Sequence, residues 1–226
     1  MKNPASVPVN IAVLVSGGGT NLQALIDAEK SGVLHSGHIC LVVSNSSKAY
    51  ALERAALSGI PSVTLSRKAL GGQEAFENEL ERTLKKYRIG LIVLAGFLNI
   101  LSAEFTRRHD HRIVNIHPSL IPSFCGEGYY GLHVHEAALK RGVKMTGATV
   151  HFVNEIPDGG EIIMQKAVPV LPHDTPEILQ KRVMRRAEWI LLPRSAELVC
   201  GQILAEEKEP VKKPERRKAR KPGGKG

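Results

Sequence analysis

Five short apolar runs recur along the first half of this chain: NIAVLVS (10–16), HICLVVS (38–44), PSVTL (61–65), GLIVLAG (90–96) and RIVNI (112–116). Between them, at about 20–31, 49–58 and 72–87, with a shorter piece near 102–109, lie segments whose apolar residues are spaced as on one face of a helix. Parallel strands need a crossover of about a dozen residues or more, whereas antiparallel strands need only a tight turn. The alternation therefore predicts an α/β fold, an open and mostly parallel twisted sheet with helices on both faces. Ligands of such sheets bind outside the carboxyl ends of the strands, near the reversal of strand order.

After Pro118 the pattern changes. A loop rich in Gly and aromatics (122–132) leads to a helix at about 134–141, and two long strands, 144–154 and 160–170, are joined by EIPDGG. Pro157, Gly159 and Gly160 supply the turn chemistry, so the C-terminal half should add an antiparallel strand pair. A long helix then opens at Asp174 or Thr175 with Pro176 just inside, and Pro193 predicts a kink or break in it.

The net charge of +9 is not shared evenly. Residues 208–226 hold nine Lys/Arg against two Glu, which leaves +2 for residues 1–207. With three prolines, three glycines and almost nothing apolar, that basic tail has too little to bury and is expected to be disordered. The organisation expected is one domain over 1–207 and a tail over 208–226. The tail is either a solubilising extension or an electrostatic contact for nucleic acid or another polyanion. Cys40, Cys125 and Cys200 are widely spaced, with no C-x-x-C pair, and MKNPASVPVN lacks the apolar stretch of a signal peptide. No run approaches the roughly 20 apolar residues of a membrane helix. A cytoplasmic protein with no membrane contact is expected, either a monomer or a homodimer.

The first strand runs into SGGGTN. Consecutive glycines let the backbone approach a ligand closely, and the free amides of a helix start attract anions. Gly17 and Gly19 fit a Rossmann-like dinucleotide fingerprint, but Leu22 stands at the third glycine position, and the second strand ends in Ser44, Asn45 and Ser46 with no acidic residue for a ribose. A nicotinamide cofactor is not expected, and no Walker loop is present. A monophosphate cradle remains, beside the plainer reading of a tight turn that packs helix on strand.

The fifth strand ends oddly, in NIHPS. Asn115 and His117 are two apart and share a face in extended backbone, while Val114 and Ile116 point the other way. An amide donor beside an imidazole suits stabilising an oxyanion during attack on a carbonyl; a structural histidine is the competing reading. Asp158, in the turn between the two late strands, would raise the His117 pKa if it reaches that strand end. His109 and His111, His133 and His135, and His151 show no metal-ligand spacing, so no metal is expected. There is no G-x-S-x-G elbow, and Cys125 has no evident activating base.

Taken together, SGGGTNLQALI, VLAGFLNIL, IVNIHPSLIPSF, HEAAL, TGATVHFVNEIPDGG and AEWILLP resemble, in order and over about residues 10–205, the phosphoribosylglycinamide formyltransferases, a branch of the folate-dependent formyltransferase family. The resemblance implies transfer of a formyl group from 10-formyltetrahydrofolate, as co-substrate, to the glycinamide amine. It implies Asn115, His117 and Asp158 as catalytic residues, with Asn115 and protonated His117 on the oxyanion. Gly19, Thr20 and Asn21 would hold the substrate phosphate, and Arg185, Arg186, Ala187 and Glu188 would contact the ribonucleotide. Gln73, Leu98, Asn99, Ile100, Leu101, Asn115, Asn154, Glu155, Ile156, Pro157 and Asp158 would form the folate side. This chain departs from the family pattern in a longer loop after His117, in Gln73 where many relatives have Arg, and in one extra residue between Val183 and Glu188. A formyltetrahydrofolate hydrolase or a methionyl-tRNA formyltransferase shares the Asn-His-Asp arrangement but would carry a further regulatory or C-terminal domain. A nucleic-acid-binding protein acting through the tail is the alternative of a different class.

Overall fold

The computed structural model describes residues 7–208, so the basic tail beyond Lys208 lies outside the described residues. Strands β1 (Val9–Val15), β2 (Gly37–Ser44), β3 (Ser62–Thr64), β4 (Leu91–Leu94) and β5 (Ile113–His117) alternate with helices α1 (Thr20–Ser31), α2 (Tyr50–Leu57), α3 (Arg67–Leu70), α4 (Gln73–Lys86) and α5 (Ala103–Arg108). Helix α6 (Leu132–Arg141) precedes β6 (Met145–Phe152) and β7 (Ile162–Pro169). The sheet order is β3-β2-β1-β4-β5-β6-β7. Pairings from β3 through β5 are parallel, and β6 runs antiparallel to both β5 and β7. This is the expected architecture, with the strand order reversing between β1 and β4.

Alternate residues of the central strands serve opposite faces. Ile11, Val13 and Val15 of β1 join Leu22, Leu25 and Ile26 of α1 and the last helix in one core, while Ala12 and Leu14 join Phe76, Leu80 and Leu84 of α4 and Phe105 of α5 in the other. Burying a side chain of this size contributes roughly 1.5–3 kcal/mol. A one-residue slip of β1 would exchange the two sets, so packing pins the register. On β5, Val114 and Ile116 enter the first core, which leaves Asn115 and His117 on the other side.

The last helical segment shows one correction. Thr175, and not Asp174, caps α7 (Pro176–Val183), its hydroxyl accepting from the Ile178 amide, while Asp174 pairs with Arg182. No break occurs at Pro193, which sits inside α8 (Trp189–Lys208). The irregularity lies one turn earlier, as a π turn over Met184–Glu188. A π turn takes up one extra residue compared with regular α-helical spacing.

Candidate active site

A cavity of about 700 Å³ opens beside the carboxyl ends of β4 and β5. It is lined by Asn115 and His117, by Asn21, His135 and Glu188, by Leu98, Asn99, Ile100 and Leu101, and by Asn154, Glu155, Ile156, Pro157 and Asp158. Four separate parts of the chain, the segment after β4, the β5 end, the β6–β7 turn and helical residues from α1, α6 and the π turn, thus meet around one space.

In the middle stands a cluster of four polar side chains. Asp158 takes a left-handed backbone conformation, φ 56°, rare for a residue with a side chain. There its carboxylate lies 3.4 Å from His117 Nδ1 and 3.5 Å from His151 Nε2, accepts from the Gly126 amide at 2.9 Å, and lies 3.4 Å from Asn115 Nδ2. Burial pushes its pKa up, but His151, His117 and the Gly126 amide outweigh that, and the net shift is downward. Asp158 is therefore ionised at neutral pH.

Carbonyl oxygens only accept, and this assigns the ring protons. His117 Nε2 meets the Phe124 carbonyl at 2.8 Å and must carry the hydrogen, so Nδ1 turns toward Asp158. His151 Nδ1 likewise donates to the Phe152 carbonyl at 2.7 Å, which leaves Nε2 as an acceptor 3.2 Å from the Asn115 side chain. Asn115 must then present its amide nitrogen there, as an oxyanion donor requires. His151 was weighed from the sequence only as a metal ligand. The antiparallel register, which sets Asn115 opposite His151 and His117 opposite Thr149, brings it into the cluster. Among the described residues no group of three or more His, Cys, Asp or Glu is arranged to hold a metal ion.

One electrostatic expectation is overturned. Burial pushes the His117 pKa down, Asp158 and the Phe124 carbonyl pull it up, His151 pushes it down again, and the net shift is below the ordinary histidine value. Asp158 does act in the expected direction, but removing an imidazolium from water costs more than one carboxylate at 3.4 Å returns. The ligand-free His117 is neutral at neutral pH.

At one end of the cavity, Asn21 Nδ2 donates to Glu188 Oε2 at 2.7 Å. Burial raises the Glu188 pKa to about 7 against the lowering effect of Asn21. Asn21 Oδ1 has no partner, and neither has Nδ1 of the buried His135, which sequence reasoning passed over beyond its metal spacing. Gln180, Met184 and Glu188 all line this wall. In a regular α-helix each step of four residues overshoots a turn by about 40°, and the wider π turn over Met184–Glu188 offsets part of that drift, consistent with all three lining the cavity. Arg185 and Arg186 are exposed and outside the cavity lining, and Ala187 packs in the core, so of the four residues expected at the ribonucleotide only Glu188 lines the cavity.

The β1–α1 turn also divides differently from expectation. Gly19 is left-handed, φ 70°, and a Cβ there would lie 2.6 Å from the Ala51 side chain, so packing of α1 on α2 already demands glycine. Gly17 and Gly18 are exposed, with open space beside them. They are the positions where a ligand can approach the backbone. Thr20 lines a separate groove between α1 and α8, and only Asn21 of the three expected phosphate residues reaches the main cavity.

At the other end, Gln73 is not on the wall. Its amide nitrogen donates to the Ile100 carbonyl at 3.1 Å and to Glu77 at 2.6 Å, from behind the 98–101 segment. The buried Glu77 also accepts from the amide and hydroxyl of Ser102, both at 2.6 Å. Ser16 Oγ holds the Leu98 amide, and Asn45 holds Asn99. The Asn154 amide side chain closes the turn carrying Asp158, accepting from Ile156 N and donating to the Gly159 carbonyl.

Comparison with known proteins bears on this arrangement. A family model described as formyl transferase matches residues 9–195. The trifunctional purine biosynthetic protein adenosine-3 of Drosophila melanogaster is 46% identical over 196 residues, which cover 86% of this chain and 14% of that protein. This chain thus spans about a seventh of that relative's length. The phosphoribosylglycinamide formyltransferase of Escherichia coli (strain K12) is 43% identical over 182 residues, 80% of this chain and 83% of that one. The crystal structure of glycinamide ribonucleotide transformylase 1 from Symbiobacterium toebii superposes with a TM-score of 0.82 at 37% identity, covering 89% of this chain and 92% of that chain. On the extent of the family match and the identity to these relatives, the chain belongs to the formyl transferase family.

Proposed function

We propose that this protein transfers the formyl group of 10-formyltetrahydrofolate to the amine of 5′-phosphoribosylglycinamide, a step of purine biosynthesis. The observation that carries the reading is the meeting of Asn115, His117 and Asp158, with contacts of 3.4 Å, in the middle of a cavity with Asn21 and Glu188 at one end and the 98–101 and 154–158 segments at the other. A folate needs a long, partly apolar slot with backbone groups along it. A ribonucleotide needs a carboxylate or amide for the ribose and free amides for the phosphate. Asn21, Glu188 and the open backbone of Gly17 and Gly18 suit the second requirement.

In the proposed reaction the amine nitrogen attacks the formyl carbon and forms the new C–N bond. The carbonyl oxygen becomes an oxyanion that accepts from Asn115 Nδ2, and from His117 only once that ring has taken a proton at Nδ1. Neutral His117 suits taking the proton the amine loses, and the imidazolium so formed is stabilised by ionised Asp158. Collapse breaks the bond from the formyl carbon to the folate nitrogen, which receives the proton and leaves as tetrahydrofolate. His151 keeps the Asn115 amide nitrogen turned to the reacting carbon. The test is an assay of the purified protein with 10-formyltetrahydrofolate, with and without phosphoribosylglycinamide. Acceptor-dependent formation of the formylated ribonucleotide is expected, and equal folate turnover without acceptor would point to a hydrolase and overturn the proposal.

A further inference from the structure

Buried polar side chains normally have hydrogen-bond partners. His135, in the first turn of α6, is 1% exposed and lines the cavity, yet its Nδ1 is closed off from solvent with no partner. A neutral imidazole has one N–H and one bare nitrogen. With Nδ1 enclosed and unpartnered, any hydrogen bond between this ring and a ligand falls to Nε2. Placing the hydrogen there leaves only a bare acceptor unsatisfied inside. Burial, with a smaller effect of nearby His117, pushes the His135 pKa down to about 4, so the ring is uncharged near neutral pH and does not compete with His117 for a proton.

The surroundings narrow what it binds. His135 lines the same cavity as Asn21, whose Oδ1 lacks a partner, and Glu188, and it lies near His117. On the proposed acceptor, the ribose falls by Glu188 and the reacting amine by His117. The group between them is the glycinamide amide, which offers a carbonyl oxygen. We infer that His135 is a binding residue for the acceptor substrate, its Nε2–H donating to the amide carbonyl that links ribose and amine.

This inference rests on the proposed function, and steady-state kinetics with both substrates separate the two. His135→Ala is expected to raise the KM for phosphoribosylglycinamide about tenfold, as the loss of one neutral hydrogen bond allows, with kcat and the KM for 10-formyltetrahydrofolate within twofold of wild type. His135→Asn, which keeps a side-chain N–H, should recover most of the loss. An unchanged acceptor KM in His135→Ala, or equal changes in both KM values, overturns the inference while leaving the reaction standing. A wild-type protein without acceptor-dependent transfer overturns the reaction itself. Should His135→Ala not fold, His135→Asn and the imidazole NMR signals of the wild type decide. The His135 Nε2 signal must move on adding ribonucleotide without folate, and no movement overturns the assignment.

Discussion

The middle of the cavity and its ribonucleotide end are built on opposite plans. In the middle, Asn115, His117, His151 and Asp158 are held by one another and by the Phe124 and Phe152 carbonyls and the Gly126 amide. Around the ribonucleotide, Asn21 Oδ1 has no partner, the His135 ring makes no hydrogen bond among the described residues, and Glu188 has Asn21. Groups that must stabilise a transient charge gain from being fixed beforehand, because no reorganisation is then needed at the moment of reaction. Groups that bind a polar ground state gain from hydrogen-bonding capacity left unfilled until the ligand arrives.

Substitutions should separate the two plans, beginning with the largest effect. His117→Ala and Asp158→Asn are expected to lower kcat by about 10²–10⁴-fold, the range of a general acid-base group, with the thermal midpoint of His117→Ala kept within a few degrees. Wild-type turnover in either would break the contrast. His151→Phe should reduce kcat less, on the order of tenfold, by freeing the Asn115 amide to rotate. In a double-mutant cycle with Asn115→Ala its effect should largely vanish, and full additivity would show that His151 acts on its own.

The ribonucleotide end is best read through pH. The Glu188 pKa is raised to about 7, so its contribution to ligand-free stability is complete below about 4.5 and lost as pH rises through 7. The His135 pKa is lowered to about 4, so its contribution is present above about 6.5 and lost as pH falls toward 4. Each shift corresponds to about 3 kcal/mol at most, and between pH 4.5 and 6.5 the two slopes oppose each other. Glu188→Gln should therefore make stability rise more steeply with pH in that window, as measured by urea unfolding, and His135→Asn should make it rise less. Identical pH profiles for both variants would mean that neither carboxyl nor imidazole is buried as described. The smallest effect is expected at the far wall, where Gln73→Ala removes a contact behind Ile100 and should raise the folate KM only a few-fold; a change in the acceptor KM instead would be unaccounted for.

Much of the architecture was legible because hydrophobic periodicity is a local signal. The β1 and α1 segments read at 10–16 and 20–31 form Val9–Val15 and Thr20–Ser31, and the expected strand pair after EIPDGG is β6 and β7. Parity placed Asn115 and His117 on one side of β5, since side chains alternate along any strand. His151 was missed because its partnership with Asn115 depends on how β6 slides against β5, which no single segment encodes. Arg185, Arg186 and Glu188 were grouped as neighbours in sequence, yet the π turn sends the arginines to solvent and Glu188 inward.

What the sequence by itself determined is the order of strands and helices, the glycine turn after β1, and which residues end β5. These depend on side-chain period, backbone freedom and proline, all of them local properties. Only the tertiary structure decided the sign of the His117 shift, because burial and a single carboxylate compete there and the outcome turns on distance and enclosure. It alone assigned Gly19 to packing against Ala51, leaving Gly17 and Gly18 open to a ligand, since a Cβ collision depends on a helix some thirty residues further along the chain. It also left His135 buried without a partner, a state defined by everything that surrounds the ring.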